Sequence, residues 1–476
     1  MGKCAGNSAL GREYDEIYCE TKRGMIQVAI KLSEARALTA ETLTHYQKSF
    51  RDKPEQKTVM NAIMKNGIAQ VAIDHEKAYR LSHTFSHEIE TGPVTNQKQS
   101  GRCWLFAGLN VLRVDIARKL NLKEFELSQS YLMFWDKVEK ANYFLESILD
   151  TLSEPTDGRL VSWLLANPMQ DGGQWDMFVN LVEKYGVVPK SAMPESFHSS
   201  QSMMMNRLLT AKLRQNAARL RQAFQAGQSE TILREDKEAM MAEFYRMVCH
   251  FLGEPPTRFD FEYRDVESQY HMDGNLTPQM FYQHYVDRNL EDFLSVINAP
   301  TADKPFQHMY TVQYLGNVVG GRPVRYLNVD IDTLRTLAQA QLMDNEPVWF
   351  GCDVGKMADR ERGSLDPDQF DLDRALDVEF AMTKAERLDY GDSQMTHAMV
   401  FTGVNLINGF PNRWKVENSW GTEVGNKGFY VMSQTWFDEY IYQVVVDKKY
   451  LNSALRAVLD EDPKELAPWD PMGSLA

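Results

Sequence analysis

Near residue 310 the chain changes texture, and that change constrains its fold more than any other feature. Before it, apolar residues recur every three or four positions; after it, short apolar runs are divided by glycine and asparagine turns. Helical spacing covers 38–81, through Leu43, Tyr46 and Phe50, then Val59 and Ile63, with a stop at Asn66-Gly67. Thr91-Gly92-Pro93 opens a loop. A stronger helix starts at Cys103, where Leu105, Leu109, Leu112, Ile116 and Leu120 form one apolar stripe. Asp171-Gly172-Gly173 reads as a loop, and 200–252 is helical again, striped by Leu209, Leu213, Leu220 and Phe224. Strand-like runs follow at 310–319, 348–354, 398–404, 413–417 and 428–432. A helical half followed by a strand-rich half is the pattern of an α+β fold with segregated layers. The tail carries Pro468 and Pro471, which predicts an extended, non-helical end.

At 476 residues the chain is long for one compact domain, so several units or one enlarged domain are expected. Lys and Arg number 52 against 66 Asp and Glu, and the net charge of −14 weighs against nucleic acid as the main partner. The stretch 207–221 is locally basic, with Arg207, Lys212, Arg214, Arg219 and Arg221; it reads as a solvated or subunit-facing side of a helix. Cys4, Cys19, Cys103, Cys249 and Cys352 are scattered and odd in number, which favours free thiols in a reducing cytoplasm. The charged first thirty residues contain no signal-peptide core, and no run is long enough to span a membrane. Position 6 is Gly6 rather than Ser or Thr, so Gly2 does not open a myristoylation motif. His83 and His87 stand at helical spacing, yet no H-E-x-x-H, G-x-S-x-G or P-loop is completed, and no metal or other cofactor is expected.

Three residues can make a reactive unit. Cys103 opens an amphipathic helix, whose dipole stabilises a thiolate and lowers its pKa; a buried, inert thiol is the plain alternative. His397 lies at the mouth of a strand apolar on both faces. In Arg413-Trp414-Lys415-Val416-Glu417-Asn418 the alternation turns Asn418 inward with Trp414 and Val416. A buried amide needs a partner, and a histidine ring on a neighbouring strand would satisfy it. Cys103 as nucleophile, His397 as base and Asn418 as orienter follow the logic of covalent catalysis. Gln97, with the Cys103 N–H, could hold the oxyanion of a tetrahedral intermediate.

Gln97…Cys103-Trp104, Thr396-His397-Ala398 and Glu417-Asn418-Ser419-Trp420-Gly421 resemble the papain-like cysteine peptidases. Two departures stand out. Ser100 occupies the position of the papain signature's first cysteine, and His397 and Asn418 lie about twice as far from Cys103 as the ~130–150 residues of that signature. From about residue 37 onward the chain is similar to the bleomycin hydrolase and aminopeptidase C family. The similarity rests on the segments 92–104, 171–175 and 348–355, the Asn418 block and the tail Ala467-Pro468-Trp469-Asp470-Pro471-Met472-Gly473.

The resemblance implies a papain-like fold with a helical half and an antiparallel β-barrel-like half. It implies a thiol aminopeptidase of broad specificity with Cys103, His397, Asn418 and Gln97 as catalytic residues. Trp420 would shield the Asn418–His397 bond, and Gly172 and Gly173 would pair with substrate backbone, an ordinary turn being the even alternative. Ala476 would place its carboxylate against the substrate's ammonium. The implied organisation is an extension of unknown role over 1–36, an arm packing on the catalytic unit over 37–90 and a helical half over 91–199. A helical insertion for oligomerisation over 200–300, a β-rich half over 301–465 and a C-terminal arm over 466–476 complete it. A homohexamer acting on peptides, with no membrane partner, is the implied assembly. An endopeptidase with the tail displaced, or a nucleic-acid-binding protein using 207–221, are the alternatives.

Overall fold

A computed structural model describes residues 37–475 of the chain. The expectations placed on residues 1–36, including Cys4 and Cys19, and on Ala476 lie outside the described residues. The described residues divide into two compact units, with the boundary between Lys65 and Asn66. In the first, the helix Ala40–Arg51 is capped by Thr39, whose hydroxyl accepts from the Thr42 N–H at 3.1 Å. Pro54 opens the next helix, Pro54–Asn66, where its missing N–H costs nothing. Gly67 then turns the chain with φ of 81°.

The second unit sets helices against one large sheet. Its helical side is built from Cys103–Lys119, Gln129–Asp150, Arg159–Ala166 and Trp175–Tyr185, with the long pair Met203–Gln225 and Glu230–Leu252 packed on Gln129–Asp150. The Cys103–Lys119 helix was expected to show one apolar face; it is buried on all sides from Cys103 to Val114 because it runs through the middle of the unit. In Met203–Gln225, Leu209, Leu213 and Leu220 are buried as expected, whereas Phe224, in the last turn, is exposed.

The sheet has twelve strands. Its order is Lys464–Leu466, His308–Val312, Tyr326–Asn328, Phe293–Ile297, Ile441–Asp447, Val348–Cys352, His397–Ile407, Phe410–Glu417, Phe429–Ser433, Ser364–Leu365 and Ala358–Asp359, with His87–Glu88 on His397–Ile407. Most pairings are antiparallel; three are parallel. The strand order is an open path and mainly antiparallel. The stretch expected to be helical, 200–252, holds the helices Met203–Gln225 and Glu230–Leu252, and a separate hairpin, Phe259–Arg264 with Tyr270–Leu276, follows it.

His397–Ile407 is the central strand, and its alternation explains why it is apolar on both faces. Ala398 and Val400 join the core shared with the helices, while Met399 and Phe401 join the second core with Trp414 and Phe437. The strand therefore begins, at His397, on the seam between the two halves. Among the described residues no helix is long and apolar enough to cross a membrane.

Three of the five basic residues of 207–221 make contacts within the fold. Arg221 donates to the carbonyls of Thr151 and Glu154 at the end of Gln129–Asp150. Arg214 donates to Leu165 and Ala166 at 2.9 and 2.7 Å, closing Arg159–Ala166, and Lys212 pairs with Glu243. Arg214 and Arg221 thus satisfy orphan helix carbonyls, whereas Arg207 and Arg219 stay exposed.

Candidate active site

The loop leading to Cys103 is held from several directions. Arg102 is fully buried and forks onto Glu195 at 3.1 and 2.8 Å, while its Nε donates to Ser100 Oγ at 2.9 Å. Gln97 N–H donates to Ser419 O at 2.8 Å and Gly421 N–H to Thr95 O at 3.0 Å, so Thr95–Gln97 is stitched to the block after Asn418. Gly421 has φ of 79°, and a Cβ there would lie 2.4 Å from the Asn96 amide nitrogen. The helix beginning at Cys103 has no side-chain cap, so its first N–H groups remain available to a ligand or to the thiol.

Each polar group has a defined orientation. Ser419 N–H donates to Asn418 Oδ1 at 2.7 Å, which fixes the oxygen of that amide; the same Oδ1 lies 2.9 Å from His397 Nε2. An acceptor there requires Nε2 to carry the proton, leaving Nδ1 as the basic nitrogen. Asn418 is buried with Trp414 and Val416, as the alternation predicts. Glu417, expected outside, is buried too, because Arg113 Nη2 meets it at 2.6 Å. Gln97 Nε2 donates to the Ser100 carbonyl at 2.6 Å, and its Oε1 accepts from the Ser419 hydroxyl. Ser100 O can only accept, so the amide orientation follows, and the second Nε2–H has no other acceptor among the described residues. Trp420 lies beside His397, ring centroids 5.0 Å apart. Cys103 reaches the same spot: the Ala398 N–H, next to His397, faces its thiol.

Electrostatics correct one expectation. The helix start was expected to lower the Cys103 pKa; burial instead pushes the thiol up to about 11, and the N–H groups of Ala398, Trp104 and Cys103 only offset it. Burial likewise pushes His397 down to about 4, against the supporting bond from Asn418 and with a further push from Arg360.

Asp171, Arg102, Glu195 and Arg360 were not singled out as site residues by the sequence. Asp171 is the most connected of them. Its Oδ2 accepts from Gly101 N–H at 3.0 Å and from the Ser202 hydroxyl, and its Oδ1 from Lys137 Nζ at 2.6 Å and Asn206 Nδ2 at 2.8 Å. Burial alone would raise its pKa, but these donors hold the carboxyl well below the usual range. Its carbonyl accepts from Trp104 Nε1 at 2.6 Å. The only sequence signal for it was its place before two glycines. Gly173 packs flat on Trp104, where a Cβ would meet the indole at 2.6 Å, and Gly172 O is taken by Lys140 Nζ at 2.6 Å. Cys352 is buried in its strand and Cys249 half-buried.

The tail is docked rather than frayed. Lys464–Leu466 pairs with His308–Val312. The chain was expected to be extended from there; it instead makes a 3-10 turn at Pro471–Gly473, because Pro471 fits a first helical position and Asp470 caps Met472 N–H at 2.8 Å. Arg159 stacks on Trp469 at 3.7 Å, Tyr326 OH donates to Met472 O at 3.1 Å, and Gln174 Nε2 donates to Ser474 O at 2.6 Å. Ser474 and Leu475 line a cavity of about 500 Å3 together with Gln170, Met395 and Thr396, the residue before His397.

A buried cysteine at a central helix start, beside a strand histidine oriented by a buried asparagine, defines a papain-like cysteine peptidase architecture. The comparisons agree. The Peptidase C1-like family matches residues 37–473, and the chain belongs to that family. It is 52% identical over 439 residues to aminopeptidase C of Listeria monocytogenes, covering 92% of this chain and 99% of that one. It is 43% identical over 449 residues to human bleomycin hydrolase, covering 92% and 99%. The crystal structure of PepW from Lactobacillus rhamnosis superposes with a TM-score of 0.91 at 52% identity, covering 93% of this chain and all of that one.

Proposed function

We propose that the chain is a cytoplasmic thiol aminopeptidase of broad specificity, releasing N-terminal residues from peptides through a thioester on Cys103. Cys103 Sγ attacks the scissile carbonyl carbon as its proton passes to His397 Nδ1. The oxyanion takes hydrogen bonds from the Cys103 N–H and the uncommitted Nε2–H of Gln97. His397 then gives the proton to the departing amine, leaving the acyl group on sulfur. Water, deprotonated by His397, attacks the thioester, and the carboxylic acid product leaves with the thiol restored. Asn418 keeps Nδ1 on the reacting side, and Trp420 keeps water from the Asn418–His397 bond.

One observation carries the exopeptidase reading: Gln174, next to Gly173 and the Trp104 indole, holds the Ser474 carbonyl. A tail docked two residues before its end would fill the cleft on the acyl side, bring the Ala476 carboxylate towards a substrate ammonium, and leave room for a short acyl segment only. In the same reading Gly172 and Gly173, which precede Gln174, would pair with substrate backbone. The division into an extension at 1–36, an arm at 37–90, catalytic halves at 91–199 and 301–465, an insertion at 200–300 and a tail at 466–476 belongs to the same reading, as does a homohexamer assembled through the insertion.

The variant Cys103→Ala should abolish hydrolysis of aminoacyl-naphthylamides; retained activity would remove the nucleophile assignment. Deleting 468–476 should weaken that activity and open internal cleavage of longer peptides. Unchanged cleavage sites on a mapped peptide would refute the role of the tail. A native mass near 54.7 kDa would refute the hexamer.

A further inference from the structure

Arg360 holds an unassigned charge at the edge of the site. It follows the edge strand Ala358–Asp359, which pairs through Ser364–Leu365 with the strand Phe429–Ser433. Its carbonyl accepts from Tyr430 OH at 3.1 Å, which pins the backbone. Its guanidinium lies over the Trp420 ring at 3.9 Å, and Trp420 is 5.0 Å from the His397 ring, centroid to centroid. The neighbouring acid does not neutralise it: Asp359 is engaged by Arg362 at 3.1 Å and by the N–H groups of Glu361 and Arg362. Among the described residues no carboxylate pairs with Arg360, so a group with five donors faces outward uncommitted.

The geometry of the reaction says what that charge would meet. His397 must hand its proton to the leaving amine, so the departing peptide lies on the His397 side of Cys103, where Trp420 sits. The tail and Gly172–Gly173 belong to the acyl side. We infer that Arg360, held on Trp420, is the receptor for a carboxylate on the leaving group: the C-terminal carboxylate of a dipeptide, or an acidic side chain on the first residue after the cleaved bond. Arg is suited to this because its planar fork stacks on an indole while presenting paired donors to a carboxylate. The inference rests on the assignment of Cys103 as a peptidase nucleophile.

The test compares dipeptides bearing a free carboxylate with the same dipeptides as C-terminal amides, and peptides with Asp against Lys after the scissile bond. The wild-type enzyme should favour the free acid and the Asp peptide in kcat/KM. In Arg360→Gln the acid-to-amide ratio should fall about fivefold, the scale of a partly exposed ion pair, mostly through KM. Arg360→Lys should keep part of the preference, and Arg360→Glu should reverse it towards Lys. A change in the basicity of His397 alters both substrates alike and leaves the ratio intact, so the ratio isolates binding. An equal acid and amide rate in the wild type, or a ratio unmoved in Arg360→Gln, overturns the inference while leaving the peptidase reading standing. If neither dipeptide nor its amide is cleaved, both fall together.

Discussion

Replacing Asp171 with asparagine asks whether the loop carrying the nucleophile is held by a charge or merely by shape. The substitution keeps the outline but replaces one acceptor oxygen with an NH2 group. Both oxygens already face donors: Gly101 N–H and the Ser202 hydroxyl on one, Lys137 and Asn206 on the other. Whichever way the amide turns, a new N–H points at a donor that cannot reverse, the Gly101 N–H on one side or the Lys137 ammonium on the other; the Ser202 hydroxyl and the Asn206 amide can turn to accept. Lys137 is fully buried and keeps just the Gln170 carbonyl at 2.8 Å. Breaking a buried ion pair from one side costs roughly 3–5 kcal/mol. With an unfolding entropy of about 2.1 cal/mol/K per residue, a unit of this size loses about 1 °C per kcal/mol, so Tm should fall by roughly 3–5 °C. Because Gly101 lies two residues before Cys103, kcat should fall about ten- to a hundredfold as the sulfur loses its placement.

Calorimetry and naphthylamide kinetics on Asp171→Asn read both effects. The folded carboxyl is held below its unfolded value, so its contribution is complete above the unfolded pKa and disappears only as pH falls below it. The Tm gap between wild type and variant should therefore be constant from about pH 5 to 8 and close below about pH 4. An unchanged Tm with unchanged kcat would show that shape suffices and refute the reasoning.

Two further outcomes follow from the site. With His397 pushed down to about 4 and Cys103 up to about 11, kcat/KM should hold a plateau at neutral pH whose acid limb falls near pH 4 rather than near 6.5. Stability should be greatest between about pH 6.5 and 9 and decline on either side of that window. Below about 6.5 the unfolded histidine takes a proton the folded one refuses, and above about 9 the unfolded thiol loses one the folded thiol keeps; an acid limb at 6.5 would place the imidazole in water. Gly173→Ala should lower thermal stability and activity together, because the Cβ would sit 2.6 Å from an indole walled in by the core; wild-type behaviour in both assays would mean that the loop can move away.

What the sequence allowed and what it hid divide along the range of the interactions. Periodicity located the helix at Cys103, the strand at His397 and the inward turn of Asn418, because each is a local pattern tied to burial. The strands Phe293–Ile297 and Ile441–Asp447 escaped notice, although the second is flanked on both sides in the sheet, since short apolar runs carry no period of their own. Glu417 looked like a surface residue by alternation and is buried because Arg113, far away in sequence, neutralises it. Asp171 and Arg360 act through contacts with residues distant along the chain; the two glycines after Asp171 mark a loop but not its partners, and nothing around Arg360 announces it.

The sign of the Cys103 shift carries a lesson about magnitudes. A helix start stabilises an anion by about 0.3–1 kcal/mol at a surface and up to about 2 in a partly buried geometry, which is at most roughly 1.5 pKa units. Burial in this site outweighs it, lifting the thiol from 9.0 to about 11 even with three N–H groups turned towards it. The same burial disfavours the lone imidazolium. Each charge is excluded when alone, so thiolate and imidazolium can arise only together, by one proton crossing from Sγ to Nδ1, with their mutual attraction offsetting what burial costs each of them. Breaking that coupling while keeping the cysteine tests the idea. In His397→Ala the thiol has no internal proton acceptor, and its alkylation by iodoacetamide should be suppressed at pH 7 and rise only as pH approaches 11. In the wild type the rate should be nearly flat across the plateau. A variant alkylated at pH 7 as fast as the wild type would show that the helix start, not the pair, makes the nucleophile.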